Sequence, residues 1–293
     1  MLEGVLVPLI TPFIAQNQVN IDVFVKLLSR LADNGVDGVV IAGSTGEGLA
    51  LTPVERDLMI SKAIETVGAN CSVIVGCSAY RTSEVIENIN RANALGADAA
   101  MITHPYYSLP DQRELLNHYA TVDRNVDLDL IVYNNPSTTG IDASPDLLSE
   151  MVGFKNIKAI KESSGDASRV SRIQQLTANK LAVLCGTDNM ALEQLAAGAR
   201  GWIAGVANVI PSQCVDLYRK ILSGDLTGAR HLYSQIYPYL HLAESTGKYV
   251  QVNRQGLTYL GIDVGSPRLP LLDVTADLAS DIESILGQIL QRQ

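Results

Sequence analysis

The sequence has few of the residues that build metal sites and disulfide frameworks. Four cysteines occur in 293 residues, and none belongs to a CxxC pair. Three of them lie in or beside apolar, strand-like runs, where cysteine behaves as a small hydrophobic residue, so we expect reduced structural thiols. The four histidines are scattered and form no HExxH-type cluster. No metal site is therefore predicted.

Basic residues are also outnumbered, and membrane-length apolar runs are absent from the sequence. The chain carries 22 Lys and Arg against 31 Asp and Glu, which gives a formal net charge of -9. Nucleic acids and anionic membrane surfaces favour clustered Lys and Arg, so neither is a predicted partner. No run approaches the roughly 18 apolar residues of a membrane span, and the amino terminus lacks a basic region followed by a cleavage site. We therefore expect a cytoplasmic protein.

Three signatures of common enzyme classes are missing as well. The glycine-rich stretch 43–48 (GSTGEG) lacks the Gly-Lys-Ser/Thr ending of a phosphate-binding P-loop, and it is not a GxGxxG dinucleotide fingerprint. No GxSxG elbow occurs, so a Ser-His-Asp hydrolase has little support. The chemistry has to come from another arrangement.

What the sequence does contain is a repeated alternation of strand-length apolar runs and amphipathic helical segments, which is typical of βα units. Strands are predicted at residues 5–10, 38–42, 73–76, 99–103, 128–133, 157–161, 181–185 and 201–205. Helices between them are predicted at residues 21–34, 53–68, 83–96, 111–123, 144–151, 166–178 and 189–199. This pattern favours a (β/α)8 TIM barrel over an open doubly wound sheet. A third alternative, two smaller Rossmann-like halves, is disfavoured because the sequence has no linker near its middle.

The last part of the chain has a different pattern. Helices are predicted at residues 211–224, 225–243, 248–261 and 274–291, which is more than the eighth helix of a barrel requires. We therefore predict a barrel core at residues 1–210, followed at 211–293 by the eighth barrel helix and a C-terminal helical extension.

The segment 156–165 (NIKAIKESSG) ends a predicted buried strand with an amine, that of Lys161. In one interpretation Lys161 reaches solvent and pairs with Glu162 or Asp166, which is the commoner fate of a lysine. In the other, desolvation disfavours the charged amine and makes Lys161 a nucleophile that forms a Schiff base with a carbonyl. Spacing alone favours the ion pair.

Other polar groups also follow predicted strands, which is where TIM barrels place functional groups. Ser44 and Thr45 follow the second strand in a loop that could hold a small carboxylate, although a plain glycine-rich turn is equally consistent. Tyr133 ends the fifth strand, either as a core tyrosine or as a phenol that relays protons. Tyr107 lies in the loop after the fourth strand. Asp188, after the seventh, is predicted to cap the next helix.

Three motifs in this order resemble the dihydrodipicolinate synthase/N-acetylneuraminate lyase family over essentially the whole chain: residues 43–47 (GSTGE), 133–140 (YNNPSTTG) and 160–165 (IKESSG). The resemblance implies a Schiff-base role for Lys161, a proton-relay role for Tyr133, and a carboxylate-binding role for Ser44 and Thr45. It makes Lys161 the expected nucleophile.

The resemblance implies further site residues and an assembly. Thr45 would link Tyr133 to a tyrosine of a neighbouring subunit, for which Tyr107 is the matching position. Gly186 and the backbone of Ile203 would line the pocket near the 2-oxo acid. The family typically forms homotetramers, as dimers of dimers, and uses no metal or organic cofactor.

One motif departs from the synthases of this family. They carry an arginine two places after the proline of the tyrosine motif, where it holds the carboxylate of aspartate semialdehyde, and this chain has Thr138 there. Threonine cannot form a bidentate guanidinium contact. Many of these synthases also have a lysine feedback site built from histidines and an asparagine. The matching positions of this chain are Pro53, Arg56 and Tyr80, so the resemblance implies that the feedback site is absent. We therefore predict that the chain is not a lysine-pathway synthase.

The sequence leaves three functions open. The first is a Schiff-base lyase, an aldolase or a dehydratase/deaminase, acting on a small 2-oxo acid or a related cyclic imine carboxylate. The second is dihydrodipicolinate synthase itself, which condenses pyruvate with aspartate semialdehyde. The third is a catalytically silent ligand-binding barrel, which the intact Lys161, Tyr133 and Thr45 disfavour.

Overall fold

The eight predicted strands form a closed parallel barrel, with each strand paired to the next and the last paired to the first. The computed structural model describes residues 2–15 and 17–291. The strands are β1 (Gly4–Pro8), β2 (Gly38–Ile41), β3 (Ser72–Gly76), β4 (Ala99–Thr103), β5 (Asp129–Asn134), β6 (Ile157–Glu162), β7 (Ala182–Cys185) and β8 (Gly201–Ile203). The predicted (β/α)8 TIM barrel is confirmed.

Helices surround this barrel and continue beyond it. They are α1 (Ile21–Asp33), α2 (Pro53–Val67), α3 (Thr82–Ala94), α4 (Gln112–Arg124), α5 (Pro136–Thr139), α6 (Pro145–Glu150), α7 (Ser168–Thr177), α8 (Ala191–Ala196), α9 (Pro211–Leu222), α10 (Leu226–Ser245), α11 (Tyr249–Tyr259) and α12 (Ala276–Leu290). Short 3-10 turns occur at Gly48–Ala50, Met151–Gly153, Asp188–Met190 and Gly205–Asn208. None of the helices in the described ranges is long and apolar enough to cross a membrane.

Element boundaries differ from the sequence predictions by a few residues where the loops carry the site. β5 and β6 each run one residue further than predicted, because Asn134 and Glu162 still pair with each other. β8 stops at Ile203, since the chain turns into a 3-10 helix at Gly205. The short helix α5 was not predicted, and it forms because the Asn135 carbonyl accepts the backbone N–H groups of Thr138 and Thr139.

The barrel interior and the space between barrel and helices are separate apolar cores. The interior core contains Leu6, Val40, Ile74, Met101, Ile131, Tyr133, Ala159, Leu184 and Ile203. Because side chains alternate between the two faces of a strand, residues two places after Ile131 and Ala159 also face inward. These residues are Tyr133 and Lys161, so the pleat of β5 and β6 places both side chains at the mouth of the barrel.

The C-terminal helices are joined to the barrel by a buried ion pair. Arg254 of α11 lies 2.8 Å from Glu47, which follows the second strand, and both side chains are almost fully buried. Arg254 also donates to the backbone carbonyls of Thr11 and Val264. We propose that the chain is organised as a barrel core with appended helices and a boundary near residue 210, with Arg254 as one link between the two parts.

Candidate active site

Lys161 lies at the end of β6, with only 6% of its surface exposed. Its Nζ atom is 3.9 Å from the centre of the Tyr133 ring. Within the described ranges it forms no ion pair, so the expected partners Glu162 and Asp166 do not neutralise it. A buried amine that lies beside an aromatic ring and forms no ion pair is a candidate nucleophile.

Glu162 does not reach Lys161 because it points to the opposite face of β6. One of its carboxylate oxygens accepts the backbone N–H of Ser164 at 2.6 Å, and the other accepts Nδ2 of Asn134 at 3.2 Å. Asn134 in turn bonds Nε2 of His104 at 3.0 Å. This network holds the ends of β4, β5 and β6 together behind the two inward-facing residues.

Tyr133 is buried beside Lys161, and its hydroxyl accepts a hydrogen bond of 2.9 Å from Nδ2 of Asn135. Tyr133 of β5 and Lys161 of β6 are direct partners across the two paired strands. The phenol can still donate its proton, so it is a candidate acid or base for chemistry at Lys161.

The glycine-rich loop is shaped by close backbone packing. A Cβ atom at Gly48 would lie 1.9 Å from the Ala42 carbonyl oxygen, and one at Gly46 would lie 2.6 Å from that of Leu9. Only glycine can occupy such positions without moving the backbone. The loop places Ser44 and the buried Thr45 on the wall of the cavity that contains Lys161.

That cavity has a volume of about 540 Å³ and opens at the carboxyl ends of the strands. It brings together all of the sequence-predicted site residues except Tyr107. The residues shared by the prediction and the cavity wall are Ser44, Thr45, Tyr133, Thr138, Lys161, Gly186 and Ile203. Tyr107 is 92% exposed and lies outside the wall.

Gly186 and Thr138 affect the shape and charge of the cavity. A Cβ atom at Gly186 would lie 2.8 Å from Cγ of Lys161 and 2.1 Å from the Ser163 hydroxyl oxygen, so Gly186 leaves the space that the lysine occupies. Thr138 lies on α5, where its hydroxyl donates to the Asn135 carbonyl at 3.2 Å. No arginine or histidine lines this cavity in the part of the chain that the structure describes.

Asp188 does not cap a helix, so that prediction was wrong. Its carboxylate accepts Nε1 of Trp202 at 2.8 Å, the backbone N–H of Val206 at 3.1 Å, and the hydroxyl of Tyr249. The side chain is drawn into the core by these donors and is therefore unavailable to the turn that begins at Asp188. Burial raises the pKa of this carboxyl despite the donors.

Glu244 is a cavity residue that the sequence did not indicate. It lies near the end of α10, and its Oε1 atom accepts the backbone N–H of Asp188 at 2.8 Å. Burial, and then the Asp188 carboxylate, raise the pKa of Glu244 to about 7. The two residues are 56 positions apart, so no local pattern could have revealed the contact.

Comparisons with known proteins agree with this geometry. Residues 1–289 match the family model of the Dihydrodipicolinate synthetase family. A 4-hydroxy-tetrahydrodipicolinate synthase of Methanothrix thermoacetophila is 35% identical over 293 residues, covering 99% of this chain and 97% of the relative.

Solved structures match along the whole chain. The 4-hydroxy-tetrahydrodipicolinate synthase of Methylacidiphilum fumariolicum SolV superposes with a TM-score of 0.96 at 27% identity, covering 100% of this chain and 97% of the other. A monomeric dihydrodipicolinate synthase variant matches with a TM-score of 0.93 at 28% identity, covering 98% and 96%. This chain belongs to the dihydrodipicolinate synthetase family and is an enzyme, a lyase of the Schiff-base class.

Proposed function

We propose that the protein is a class I lyase, an aldolase or a dehydratase/deaminase, that acts on a small 2-oxo acid or a related cyclic imine carboxylate through an imine at Lys161. The observation that carries the proposal is the buried Lys161 amine, which has no carboxylate partner among the described residues and lies 3.9 Å from the Tyr133 ring centre. The cavity around it has room for a small substrate.

The proposed reaction begins when the neutral amine attacks C2 of the 2-oxo acid to form a carbinolamine. Tyr133 donates a proton to the departing hydroxyl, water leaves, and a protonated imine remains. This imine accepts the electron pair of a bond broken at C3 and becomes an enamine.

In aldol cleavage the Tyr133 phenolate takes the C4 hydroxyl proton, the C3–C4 bond breaks, an aldehyde leaves, and Tyr133 returns the proton to C3 to restore the imine. In dehydration or deamination the phenolate removes a C3 proton, and the enamine then expels the C4 hydroxyl or amine, which leaves protonated and restores a conjugated imine. Water adds to the imine, Tyr133 takes the released proton, and the 2-oxo product leaves Lys161 as the free amine. Ser44 and Thr45 would hold the substrate carboxylate throughout.

The names of the relatives favour a second candidate, 4-hydroxy-tetrahydrodipicolinate synthase. That reaction needs recognition of a second carboxylate, on aspartate semialdehyde. Thr138 provides a hydroxyl at the position where the synthases carry arginine, and a hydroxyl is a weaker partner for a carboxylate than a guanidinium group. We therefore rank this candidate second. Efficient condensation of aspartate semialdehyde with pyruvate would reverse the order.

Borohydride reduction in the presence of pyruvate tests the imine. We expect one reduced pyruvyl adduct per chain by intact mass, and peptide mapping should place it on Lys161. Lys161→Ala should form no adduct. Lys158→Ala is the matched control, because Lys158 lies on the same strand but is exposed on its outer face, and it should react like the wild type. An adduct on another lysine would refute the assignment.

We also propose a homotetramer in which Tyr107 reaches the active site of a neighbouring protomer, next to Thr45. Its 92% exposure in one chain supports this role, since a large exposed aromatic side chain suits an interface. Protomers carrying Tyr107→Phe and protomers carrying Lys161→Ala, mixed after dissociation, should regain activity, because a hybrid contains one complete site. If the mixed oligomer forms but regains no activity, Tyr107 either acts in the active site of its own protomer or has no part in catalysis.

A further inference from the structure

Three buried polar side chains lie directly behind the reactive residues, on the outer face of the barrel. At the carboxyl ends of β4, β5 and β6, Thr103 pairs with Tyr133, and Tyr133 pairs with Lys161. The residue that follows each of these three is polar and fully buried. These following residues are His104, Asn134 and Glu162. Because successive side chains point to opposite faces, they back the residues that face the cavity.

The hydrogen bonds of Asn134 determine which ring nitrogen of His104 carries the proton. Oδ1 of Asn134 accepts the backbone N–H of Ala143 at 3.0 Å. Its Nδ2 atom donates to the carboxylates of Asp142 and Glu162, at 3.0 and 3.2 Å. Since a backbone N–H can only donate, Oδ1 is the acceptor end of this amide. Nε2 of His104, 3.0 Å from Oδ1, therefore donates its proton there.

Tyr119 of α4 bonds the other nitrogen of the same ring. Its buried hydroxyl lies 2.7 Å from Nδ1 of His104. With the proton on Nε2, Nδ1 is an acceptor and the Tyr119 hydroxyl is the donor. Burial lowers the pKa of His104, which favours this neutral imidazole. Donors thus follow one direction through four residues, which we name the donor path: Tyr119, His104, Asn134 and Glu162.

The donor path ends on a carboxylate next to the nucleophile in sequence. Glu162 receives Nδ2 of Asn134 on one oxygen and the backbone N–H of Ser164 on the other, which fixes the end of β6. Lys161 and Tyr133 meet as amine and ring at 3.9 Å, so their spacing depends on the strand ends that carry them. A misplacement of about 1 Å between reacting groups can cost roughly 10²-fold in rate.

We propose that His104 is a positioning residue that sets the spacing of the Tyr133 phenol and the Lys161 amine. Its neutral imidazole does so by holding the Asn134 amide in one orientation. His104 lies outside the wall of the cavity that contains Lys161, so it acts through other residues. The inference rests on the proposed imine chemistry. Loss of the donor path should slow catalysis more than it weakens substrate binding.

Exchange of the methyl protons of pyruvate with D2O tests this spacing directly. An imine at Lys161 acidifies C3 of pyruvate, a base removes a C3 proton, and a deuteron from solvent takes its place before hydrolysis releases deuterated pyruvate. Proton NMR spectroscopy of the methyl signal therefore gives kcat and KM for exchange without a second substrate. The readout requires both the amine and the phenol.

Two substitutions of His104 separate positioning from bulk packing. His104→Leu removes both hydrogen bonds of the ring, and we expect kcat for exchange to fall at least about tenfold while KM changes less than about threefold. His104→Gln keeps a donor for Asn134 and an acceptor for Tyr119, so it should recover kcat to within about threefold of the wild type.

Tyr119→Phe tests the donor path even if His104→Leu fails to fold. It removes one hydroxyl group and leaves Nδ1 of His104 without its donor, so kcat should fall about threefold or more. Tyr239→Phe is the matched control, because it removes an equally buried hydroxyl that bonds Asn253 at 3.3 Å, and it should leave kcat unchanged. Melting temperatures of the two variants compare their costs in stability.

The outcomes distinguish this inference from the proposed function. If borohydride traps no pyruvate on Lys161 of the wild type, the imine chemistry fails, and the inference fails with it. If pyruvate is trapped but His104→Leu and Tyr119→Phe exchange protons as fast as the wild type, the inference alone is overturned. A His104→Gln variant as slow as His104→Leu also overturns it, because the loss would then not depend on the donor and the acceptor.

Discussion

At the scale of single residues, Tyr133 and Lys161 form a unit because both face inward at paired positions of β5 and β6. Their side chains meet as ring and amine at 3.9 Å, whereas the neighbouring Asn134 and Glu162 bond each other on the outer face. The nucleophile and its candidate proton donor are thus positioned by strand pairing, without a hydrogen bond between the two side chains. This arrangement separates the role of the phenol proton from that of the amine.

Tyr133→Phe removes the phenol and keeps the ring that packs on Lys161. We expect kcat to fall by roughly 10²- to 10⁴-fold, which is the usual contribution of a positioned acid or base. Pyruvate should still be trapped on Lys161, only more slowly, because the amine remains. Steady-state kinetics and the rate of trapping check both expectations. Tyr259→Phe changes a surface tyrosine of α11 and serves as the control, and unchanged kcat in Tyr133→Phe would contradict the proton-relay role.

Glu244 should make stability depend on pH. Burial and the Asp188 carboxylate raise the pKa of Glu244 to about 7 from its usual 4.5, and the Lys161 amine partly opposes this rise. Tyr249 and Cys185 also face the carboxyl. Between these two pH values the folded state binds a proton that the unfolded state has lost, so the free energy of unfolding falls as pH rises.

Glu244→Gln removes that titration. The wild type should lose stability between pH 5 and pH 8, whereas the variant should not. The free energy of unfolding of the variant minus that of the wild type should therefore increase over this range by on the order of 1–3 kcal/mol. Denaturant unfolding at a fixed protein concentration across this range measures the difference. Glu87→Gln should show no such trend, because its carboxylate is exposed. A constant difference between Glu244→Gln and the wild type would contradict the raised pKa.

At the scale of elements, the loops after β2 and β7 depend on glycine for different reasons. Gly46 and Gly48 allow backbone to pack on backbone, whereas Gly186 leaves room for the stem of Lys161. Gly46 and Gly48 shape the wall that carries Ser44 and Thr45, and Gly186 keeps the nucleophile Lys161 in its position. Substitution should therefore affect folding in one loop and catalysis in the other.

Gly186→Ala should lower kcat/KM at least about tenfold, because the new methyl group would lie 2.8 Å from Cγ of Lys161 and would displace it. The melting temperature and the rate of pyruvate trapping separate a displaced lysine from a general loss of folding. Gly153→Ala is the control, since no atom lies within 4 Å of the added carbon. Equal trapping rates in both variants would show that Gly186 does not protect the position of Lys161.

At the scale of the whole molecule, the C-terminal helices complete the active site and do more than cover the barrel. Glu244 at the end of α10 and Tyr249 of α11 both line the cavity, and Arg254 of α11 holds the loop that contains Ser44 and Thr45 through its pair with Glu47. Burial raises the pKa of Glu47, and the nearby Arg254 limits that rise. Stability and site geometry are therefore coupled through one ion pair.

Arg254→Met keeps most of the side-chain volume but removes the ion-pair partner of Glu47 and leaves its Oε1 atom and several carbonyl groups without a donor in the core. We expect the free energy of unfolding to fall by about 3–5 kcal/mol, because removing one partner strands a buried charge. Chemical denaturation measures this loss. Arg172→Met breaks an exposed pair with Asp146 and should change stability little. Similar effects of the two substitutions would show that burial does not decide the value of the Arg254 pair.

The sequence by itself determined the barrel, because period and length of apolar runs specify strands and helices locally. It also indicated Lys161, Tyr133 and Thr45, since barrel chemistry collects at strand ends and these residues belong to the three family motifs. The carboxyl-terminal ends of β5 and β6 were predicted only to within one residue. Their extension to Asn134 and Glu162 depends on cross-strand pairing, which a single run does not encode.

Only the tertiary structure decided the neighbours of these residues. Lys161 could have paired with Glu162 or Asp166 by spacing, and the pleat of β6 placed it away from both partners. By its position before a helix Asp188 is a candidate helix cap, but in the fold its carboxylate accepts buried hydrogen bonds from Trp202 and Tyr249 instead. Glu244 came to the cavity because α10 folds back on the turn after β7. Such contacts follow from the packing of distant elements, and local sequence carries no signal for them.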